Sequence, residues 1–394
     1  MNAKELVIRL LGLLVVLFLF FVSLELMGES FKLIGRGFAE NLLRTTANPF
    51  VGLFIGILAT SLVQSSSTVT SMTVGIVAGG GLTVAGAIPI VLGANVGTSV
   101  TNTIVSLGHI ARKDEFGRAM GAATVHDFFN LLAVALLFPL ELMTGFLTKS
   151  SQGLTTALSN VGGAEMLNFL DVFTAPVVNV LILLMLNNGV IVLVVGILLL
   201  FLSLRFLVKL LRSLVLGRSE RLINQFLFGP APIALAFGIL VTIMVQSSSI
   251  TTSITVPLVG AGIVTVAQIF PFVLGANVGT TVTALLAALV LSGSGEAAGH
   301  AALQVALAHL IFNCCGVLIF LPVQRIRHVP VRMAEWLGTL VVRNRAYAFG
   351  YITLIFFVLP LIVILLTRNI DTSFYGGEET ISRQPAIEET TTKH

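Results

Sequence analysis

An internal repeat is the feature that most constrains the fold of this 394-residue chain. Residues 64–101 align on residues 246–283 without a gap, with 24 identities in 38 positions. The tetrapeptide Gln-Ser-Ser-Ser and the hexapeptide Gly-Ala-Asn-Val-Gly-Thr both recur at this offset of 182 positions. A match of this kind indicates that one structural unit has been duplicated. We predict that the two copies cover residues 1–145 and 187–325.

The composition places these repeats in a membrane. Mean hydropathy is +1.02 and only 10% of residues are charged, against about 25% in soluble domains. These values exclude a soluble enzyme and a disordered protein, and two cysteines cannot form a disulfide framework. The net charge is only +4, and the basic residues sit in short loops between apolar runs, which positive-inside topology explains better than nucleic-acid binding. Long apolar runs predict spanning helices at residues 5–27, 118–145, 189–209, 300–322 and 347–367.

Other apolar segments are too short to span alone. Residues 49–63, 68–79, 82–94 and 96–108 are separated by Gly, Ser and Thr clusters, which predicts re-entrant or discontinuous helices. Residues 29–45 and 329–342 mix charged and apolar positions and are typical of interfacial helices. The remaining divisions are a linker at 146–186, an interfacial helix with a final transmembrane helix at 326–368, and a polar, acidic, disordered tail at 369–394.

Charge asymmetry predicts the orientation of the repeats. The loop within the first repeat carries Arg112, Lys113 and Arg118, whereas the equivalent loop at 292–300 has no Lys or Arg. Because basic loops stay in the cytoplasm, equivalent loops with opposite charge indicate opposite sides of the membrane. We therefore predict an all-α polytopic membrane protein with two inverted-topology repeats, whose discontinuous helices meet at the bilayer midplane. The N-terminus is predicted to be cytoplasmic and the tail to lie outside.

The duplicated Gln-Ser-Ser-Ser tetrapeptides predict an oxyanion site. Each follows an apolar half-helix, and a helix N-terminus with serine hydroxyls and a glutamine amide offers neutral hydrogen-bond donors to an anion. The alternative is close packing of small residues between helices. The candidate anion-binding residues are Gln64, Ser65, Ser66, Ser67, Gln246, Ser247, Ser248 and Ser249.

The Gly-Ala-Asn-Val-Gly-Thr segments predict cation ligands. We expect them to form loops with tight turns at glycine and exposed carbonyls, which suit a small hard cation together with side-chain oxygens. Because the tetrapeptides contain no Lys or Arg, bound cations would have to balance a desolvated anion, and two sodium ions would neutralise one HPO4 dianion. The sequence predicts no transition metal and no other cofactor. The candidate ligands here are Asn95, Thr98, Asn277 and Thr280.

Polar residues within two of the long apolar runs are further candidates. Asp127 is the one acid in its run, and an intramembrane acid indicates function unless it caps a helix or pairs with His126. His126 and His309 are either proton-sensitive or structural. Asn130 and Asn313 follow them by four residues, on the same helical face, and are candidate cation ligands.

These motifs together resemble the type II sodium-phosphate cotransporter family. The resemblance rests on both duplicated motifs, on the stretch from Thr98 to Val105 and on Thr124 to Asn130, and it covers residues 5–367. It implies sodium-driven phosphate uptake by alternating access, with phosphate between the two tetrapeptides. It also implies sodium ligands around Thr103, Asn130, Ser248 and Thr252.

The length and one departure from the family pattern refine this expectation. The chain has no long loop between the repeats, so it looks like a bacterial member of an inner membrane. Arg112 and His109 stand where electrogenic members of the family carry Asp and Gln. The resemblance therefore implies electroneutral transport with two sodium ions.

Two alternatives stay open. An intramembrane serine hydrolase would use Ser66 or Ser248 as nucleophile and His126 or His309 as base. However, every candidate occurs twice and no Gly-x-Ser-x-Gly elbow surrounds either serine. The other alternative is a transporter of a different anion or an anion channel, although a channel has no need of matched cation sites.

Overall fold

A computed structural model describes residues 3–34, 46–159, 169–215, 229–291 and 296–367, and its regular elements in these ranges are helices. The first repeat contains α1 (Ala3–Ile34), α2 (Pro49–Val63), α3 (Ser66–Ala78), α4 (Val84–Gly97), α5 (Val100–Ser106), a 3-10 turn (Leu107–His109) and α6 (Lys113–Thr144). Residues 146–186 contain α7 (Phe146–Ser159) and α8 (Phe169–Leu184). The second repeat contains α9 (Gly189–Val215), α10 (Ala231–Val245), α11 (Ser248–Ser253), α12 (Thr255–Gly260), α13 (Val266–Leu291) and α14 (Glu296–Phe320). The chain continues through α15 (Gln324–Arg343), α16 (Ala346–Thr353), a π turn (Leu354–Val358) and α17 (Leu359–Thr367).

Seven helical segments in the described ranges are long and apolar enough to cross a membrane. Five of them overlap the five long apolar runs over most of their length, so the predicted apolar helices are confirmed there. The other two are Val84–His109 and Val266–Leu291. The first of these covers nearly all of the predicted pieces 82–94 and 96–108, and its helix is interrupted at Thr98 and Ser99 rather than at residue 95.

The Gly-Ala-Asn-Val-Gly-Thr segments do not form the loops that we expected. The first segment closes α4, and the second lies within the continuous helix α13. Their glycines serve close packing between helices. A Cβ on Gly93 would collide with the Leu53 carbonyl on α2, and a Cβ on Gly275 would collide with the Leu235 carbonyl on α10. The same contact therefore occurs in both repeats.

The two repeats pack across one another. Within each repeat, the helix before the Gln-Ser-Ser-Ser motif packs along the helix that carries the hexapeptide: α2 on α4, and α10 on α13. The helices after the motif contact their own repeat and also pack on the opposite repeat: α3 on α13 and α14, and α11 and α12 on α5 and α6. Each tetrapeptide thus lies where the chain passes from its own repeat to the other.

The helix that follows the second repeat packs on the first repeat. Helix α15 packs along α6, where Gly338 meets Gly117 at a close crossing. Its opposite face exposes Trp336, as an interfacial helix would. Helix α1 runs on to Ile34, whereas 35–45 and the tail at 369–394 lie outside the described residues, so the interfacial and disorder predictions there are not tested.

Candidate functional site

The two Gln-Ser-Ser-Ser motifs break their helices in the same way. Gln64 ends α2 with φ 57° and ψ 29°, and Gln246 ends α10 with φ 55° and ψ 28°. The next serine in each copy is extended and accepts a hydrogen bond at its side chain from the backbone N–H three residues on: Ser65 from Thr68, Ser247 from Ile250. This confirms the predicted break and gives each new helix a capped N-terminus.

The glutamines differ in their surroundings although their backbones match. The Gln64 side chain is exposed. Gln246 is buried, donates through Nε2 to the Ile243 carbonyl at 2.7 Å, and accepts at Oε1 from Thr283 at 2.6 Å. One glutamine amide is therefore open to solvent or a ligand, and the other is held by its own repeat.

The serine hydroxyls that follow each break lie in a buried zone between the repeats. Ser66, Ser67, Ser248 and Ser249 are all less than 8% exposed. The Ser249 hydroxyl donates across the repeats to the Thr98 carbonyl at 3.4 Å. The described structure thus brings the second motif against the first hexapeptide, as a site shared by both repeats requires.

A buried network of histidines and asparagines connects the centres of the two repeats. His126 Nε2 lies 3.0 Å from Asn277 Oδ1, and His309 Nε2 lies 3.1 Å from Asn95 Oδ1. Each histidine therefore contacts the hexapeptide asparagine of the other repeat. We name this set the His–Asn core, and its members are Asn95, His126, Asn130, Asn277, His309 and Asn313.

Amide hydrogen bonds complete the His–Asn core. Asn277 Nδ2 donates to Asn130 Oδ1 at 2.8 Å and to Asn313 Oδ1 at 2.7 Å, and Asn130 Nδ2 donates to the Asn95 carbonyl at 2.8 Å. All six members are at most 2% exposed. Because the asparagine side-chain oxygens already have partners, this arrangement favours a structural role, and sodium binding by these asparagines stays a prediction.

The remaining hexapeptide candidates also have internal partners. The hydroxyls of Thr98 and Thr280 donate back to the Ala94 and Ala276 carbonyls of their own helices, at 2.9 and 3.0 Å. Such bonds are common for threonine in buried helices. Their role as sodium ligands is likewise a prediction.

The imidazole contacts argue against the hydrolase alternative. Nε2 of both histidines faces an asparagine rather than a serine hydroxyl, and neither Nδ1 has a hydrogen-bond partner among the described residues. A nucleophilic serine needs a base within hydrogen-bond reach. The structure brings neither Ser66 nor Ser248 into such a pair.

A second buried polar group occurs in the first repeat alone. It comprises Asn102, Thr103 and Asp127, which are at most 1% exposed, and we name it the one-sided cluster. The aligned positions of the second repeat are apolar: Ala284, Leu285 and Leu310.

The one-sided cluster contains oxygens without partners. Asn102 Nδ2 donates to Thr252 Oγ1 on α11 at 2.7 Å, which leaves Asn102 Oδ1 without a partner among the described residues. Ser99 and Thr103 lie beside the Asp127 carboxyl, but their hydroxyls donate to backbone carbonyls. Asp127 Oδ1 therefore also lacks a donor in the described part of the chain. The cluster thus offers two buried oxygens without partners, one of them on an acid, and oxygens of this kind are the ligands that hard cations prefer.

Sequence reasoning identified part of this cluster. Thr103 was an expected ligand, as was Thr252, which contacts the cluster through Asn102, and Asp127 was a candidate because of its intramembrane position. Asn102 was missed as a site residue. A comparison of the repeats residue by residue could have found it, because it is polar where its counterpart Ala284 is apolar.

Comparison with known proteins agrees with the duplication. The model of the Na+/Pi-cotransporter family matches this chain twice, over residues 19–163 and 198–342. The two matches overlap the predicted repeats 1–145 and 187–325 and extend past the predicted end of each.

Named relatives of the chain are phosphate transport proteins. Sodium-dependent phosphate transport protein 2B of Pongo abelii is 32% identical over 90% of this chain and 65% of its own length. Sodium-dependent phosphate transport protein 2A of Ovis aries is 34% identical over 88% of this chain and 66% of its own length. The protein of the same name from Mus musculus is 36% identical over 89% of this chain and 66% of its own length. The chain thus spans about two thirds of the length of these relatives. No solved structure gives a significant match. By its family match and these identities, the chain belongs to the Na+/Pi-cotransporter family.

Proposed function

We propose that this protein is a secondary transporter that couples the entry of sodium to the import of inorganic phosphate by alternating access. The observation that carries the proposal is the pair of matched helix breaks, each opening a helix that packs on the other repeat. The names of the relatives support the substrate and the coupling ion. Phosphate and sodium are then the partners, with the lipid bilayer as surroundings.

Phosphate would bind between the two Gln-Ser-Ser-Ser motifs. Buried serine hydroxyls and the N-termini of capped helices are neutral donors suited to an oxyanion. The exposed Gln64 amide would make first contact, and the buried serines would replace water around the anion. The HPO4 dianion carries a proton that it can donate, so sulfate would bind less well than phosphate, whereas arsenate would compete.

Sodium would bind in the one-sided cluster. The unpartnered Oδ1 atoms of Asn102 and Asp127 are the free oxygens there, and Thr252 connects this group to the second motif through Asn102. A cation bound here would attract an anion between the tetrapeptides because both would lie in a medium of low dielectric constant. This attraction is a physical source of coupling between the two substrates.

We propose a stoichiometry of two sodium ions per HPO4 dianion and therefore electroneutral transport. The proposal rests on charge balance and on Arg112 and His109. Arg112 is exposed and forms an ion pair with Glu115 at 2.9 Å. If a third cation were transported, Asp127 rather than Asp114 would be its ligand, because Asp127 is buried and Asp114 is exposed.

The topology is part of the same proposal. The repeats would be inverted relative to each other, with an N-terminus in the cytoplasm and a C-terminal tail outside a bacterial inner membrane. Support comes from the basic residues Arg112, Lys113 and Arg118 on one equivalent loop and their absence from residues 292–300 of the other. Accessibility of single cysteines introduced at positions 113 and 298 to a membrane-impermeant thiol reagent would compare the two sides.

Uptake of radiolabelled phosphate into proteoliposomes tests the function. We expect uptake under an inward sodium gradient and little when potassium replaces sodium, with the same rate at zero and at negative-inside potential. Ser66→Ala and Ser248→Ala should each raise the half-saturating phosphate concentration roughly tenfold, since each removes a hydrogen bond to a charged ligand. Ser203→Ala is the matched control, because this buried serine of α9 bonds to its own helix at Leu200.

Several results would contradict parts of the proposal. Equal uptake in sodium and potassium would reject sodium coupling. Faster uptake at negative-inside potential would reject electroneutrality and direct attention to Asp127. Sulfate competition as strong as that of phosphate would favour a transporter of another anion.

A further inference from the structure

The last membrane segment lies outside both repeats and has no copy in the chain. It comprises α16, the π turn and α17, and it packs along α2 through the π turn and α17. The Asn48 side chain fixes its far end by donating to the Thr367 carbonyl at 2.9 Å. Most of its side chains face outward, as expected for a helix in contact with lipid.

One side chain of this segment reaches the one-sided cluster. The Tyr351 hydroxyl donates to Asp127 Oδ2 at 3.0 Å. The Tyr351 ring lies 5.9 Å from the Phe128 ring and 6.0 Å from the Phe356 ring, between centroids. The Tyr351 ring thus packs between Phe128 on α6, the helix that carries Asp127, and Phe356 in the π turn.

The π turn places a second aromatic ring beside this inward contact. It covers Leu354–Val358 and adds one residue to a turn, which changes the direction of the side chains that follow. Phe356 is fully buried, although its neighbours Leu354 and Val358 are exposed. Its ring meets that of Tyr351 almost edge-on, at 85°, and so keeps the tyrosine turned toward Asp127. Single π turns of this kind are frequent at functional sites.

The hydrogen bond occupies one oxygen of the Asp127 carboxyl and leaves the other free. Oδ2 accepts from Tyr351, whereas Oδ1 has no donor among the described residues. A neutral phenol can hold the carboxyl group in one orientation without bringing a positive charge that would compete with a cation. The second repeat has neither the acid, since Leu310 aligns with Asp127, nor an equivalent of the last segment.

We propose that Tyr351 is a positioning residue for cation binding: its hydroxyl fixes the Asp127 carboxyl so that Oδ1 is held ready as a ligand. The inference rests on the proposed binding of sodium in the one-sided cluster. It assigns to the last segment, which belongs to neither repeat, a direct part in the affinity for the coupling ion.

Tyr351→Phe tests this inference because it keeps the ring packing and removes only the hydroxyl. We expect the half-saturating sodium concentration for phosphate uptake to rise roughly tenfold, the size of effect typical of a lost hydrogen bond to a charged group. The half-saturating phosphate concentration at saturating sodium should not change. Tyr347→Phe is the matched control, because Tyr347 lies on the same helix and its side chain is exposed.

A double-mutant comparison separates positioning from a general structural role. In an Asp127→Asn background, Tyr351→Phe should cause little further change in sodium activation, because the two residues act through one contact. Equal sodium activation in wild type and Tyr351→Phe would overturn the inference. A lower maximal rate with unchanged sodium activation would overturn it as well. So would a tenfold rise in the half-saturating sodium concentration that Tyr351→Phe adds in full to the effect of Asp127→Asn.

Direct binding of radioactive sodium to detergent-purified protein distinguishes this inference from the proposed function. If Tyr351→Phe binds sodium more weakly than wild type, but wild-type phosphate uptake does not need sodium, sodium coupling is rejected and the role of Tyr351 in sodium binding is retained. Sodium-driven uptake with equal binding by both proteins would retain the function and reject the inference. A wild-type protein that binds no sodium would reject both.

Discussion

The His–Asn core and the one-sided cluster both lie buried between the repeats, but only the first is duplicated. Every residue of the His–Asn core has a counterpart, and the two His–Asn contacts are 3.0 and 3.1 Å long. The residues of the one-sided cluster align with apolar residues in the second repeat. Duplication of a gene gives both halves the same polar residues, so a group present once has been gained or lost since. We infer that the symmetric part holds the repeats together, and under the proposed function the asymmetric part binds the coupling ion.

The largest expected effect concerns the symmetric packing. Gly93→Ala and Gly275→Ala would each place a methyl group against a backbone carbonyl of the neighbouring helix. Because backbone cannot move aside as a side chain can, we expect each variant to lose most of its folded protein. Size-exclusion chromatography of fluorescent fusions measures the folded fraction.

Gly153→Ala is the matched control for the glycine pair, since nothing lies within 4 Å of a Cβ built there. The comparison between the two repeats is the point of the experiment. A well-folded Gly93→Ala beside an unfolded Gly275→Ala would show that the two close crossings are not equivalent.

The next effect concerns the asymmetric acid. Asp127→Asn keeps the shape of the side chain and removes its charge, so we expect sodium-driven uptake to fall at least tenfold at moderate sodium, while the protein stays folded. Uptake measured against sodium concentration shows whether the loss is in affinity. Asp114→Asn, at an exposed position four residues from Arg118, should behave as wild type. Unchanged sodium activation in Asp127→Asn would remove the one-sided cluster from the mechanism.

The smallest effect concerns the two histidines. His126→Gln and His309→Gln each disturb one contact of the His–Asn core, and we expect each to lower the free energy of unfolding by about 1–3 kcal/mol. The two values should be similar because the contacts are equivalent. Thermal unfolding in detergent measures the change, with His328→Gln at an exposed position as the control. If one histidine abolished transport with no change in stability, the core would not be only structural.

The sequence predicted much of the fold because its signals are local. The apolar runs identified five spanning helices, and the tetrapeptides marked both helix breaks. Gln64 and Gln246 have the same left-handed backbone, as two identical motifs should. The hexapeptides were misjudged as loops because a pair of glycines in an apolar segment suits a turn and a close helix crossing equally well. Only the carbonyls of Leu53 and Leu235 on the neighbouring helices distinguish the two.

The sequence could not show how distant residues combine. The contact between Tyr351 and Asp127 joins positions 224 residues apart, and Asn102 and Thr252 are 150 apart. Nothing in the run around Tyr351 marks it as different from other aromatic residues near a membrane surface. The reciprocal contacts of the His–Asn core were likewise hidden, although the alignment of the repeats had already paired its members, Asn95 with Asn277 at an offset of 182 and the other two pairs at 183.

Some helices that follow the Gln-Ser-Ser-Ser breaks pack on the opposite repeat, so one repeat alone would not cover all of its own helix faces. Helix α3 belongs to the first repeat along the chain but packs on α13 and α14, and α12 packs on α6 in return. A polypeptide with a single repeat would leave these faces uncovered unless a second copy supplied them. A single-repeat protein would therefore need a second copy that exchanges these helices with it in a dimer, and fusion of two copies into one chain would allow each half to diverge.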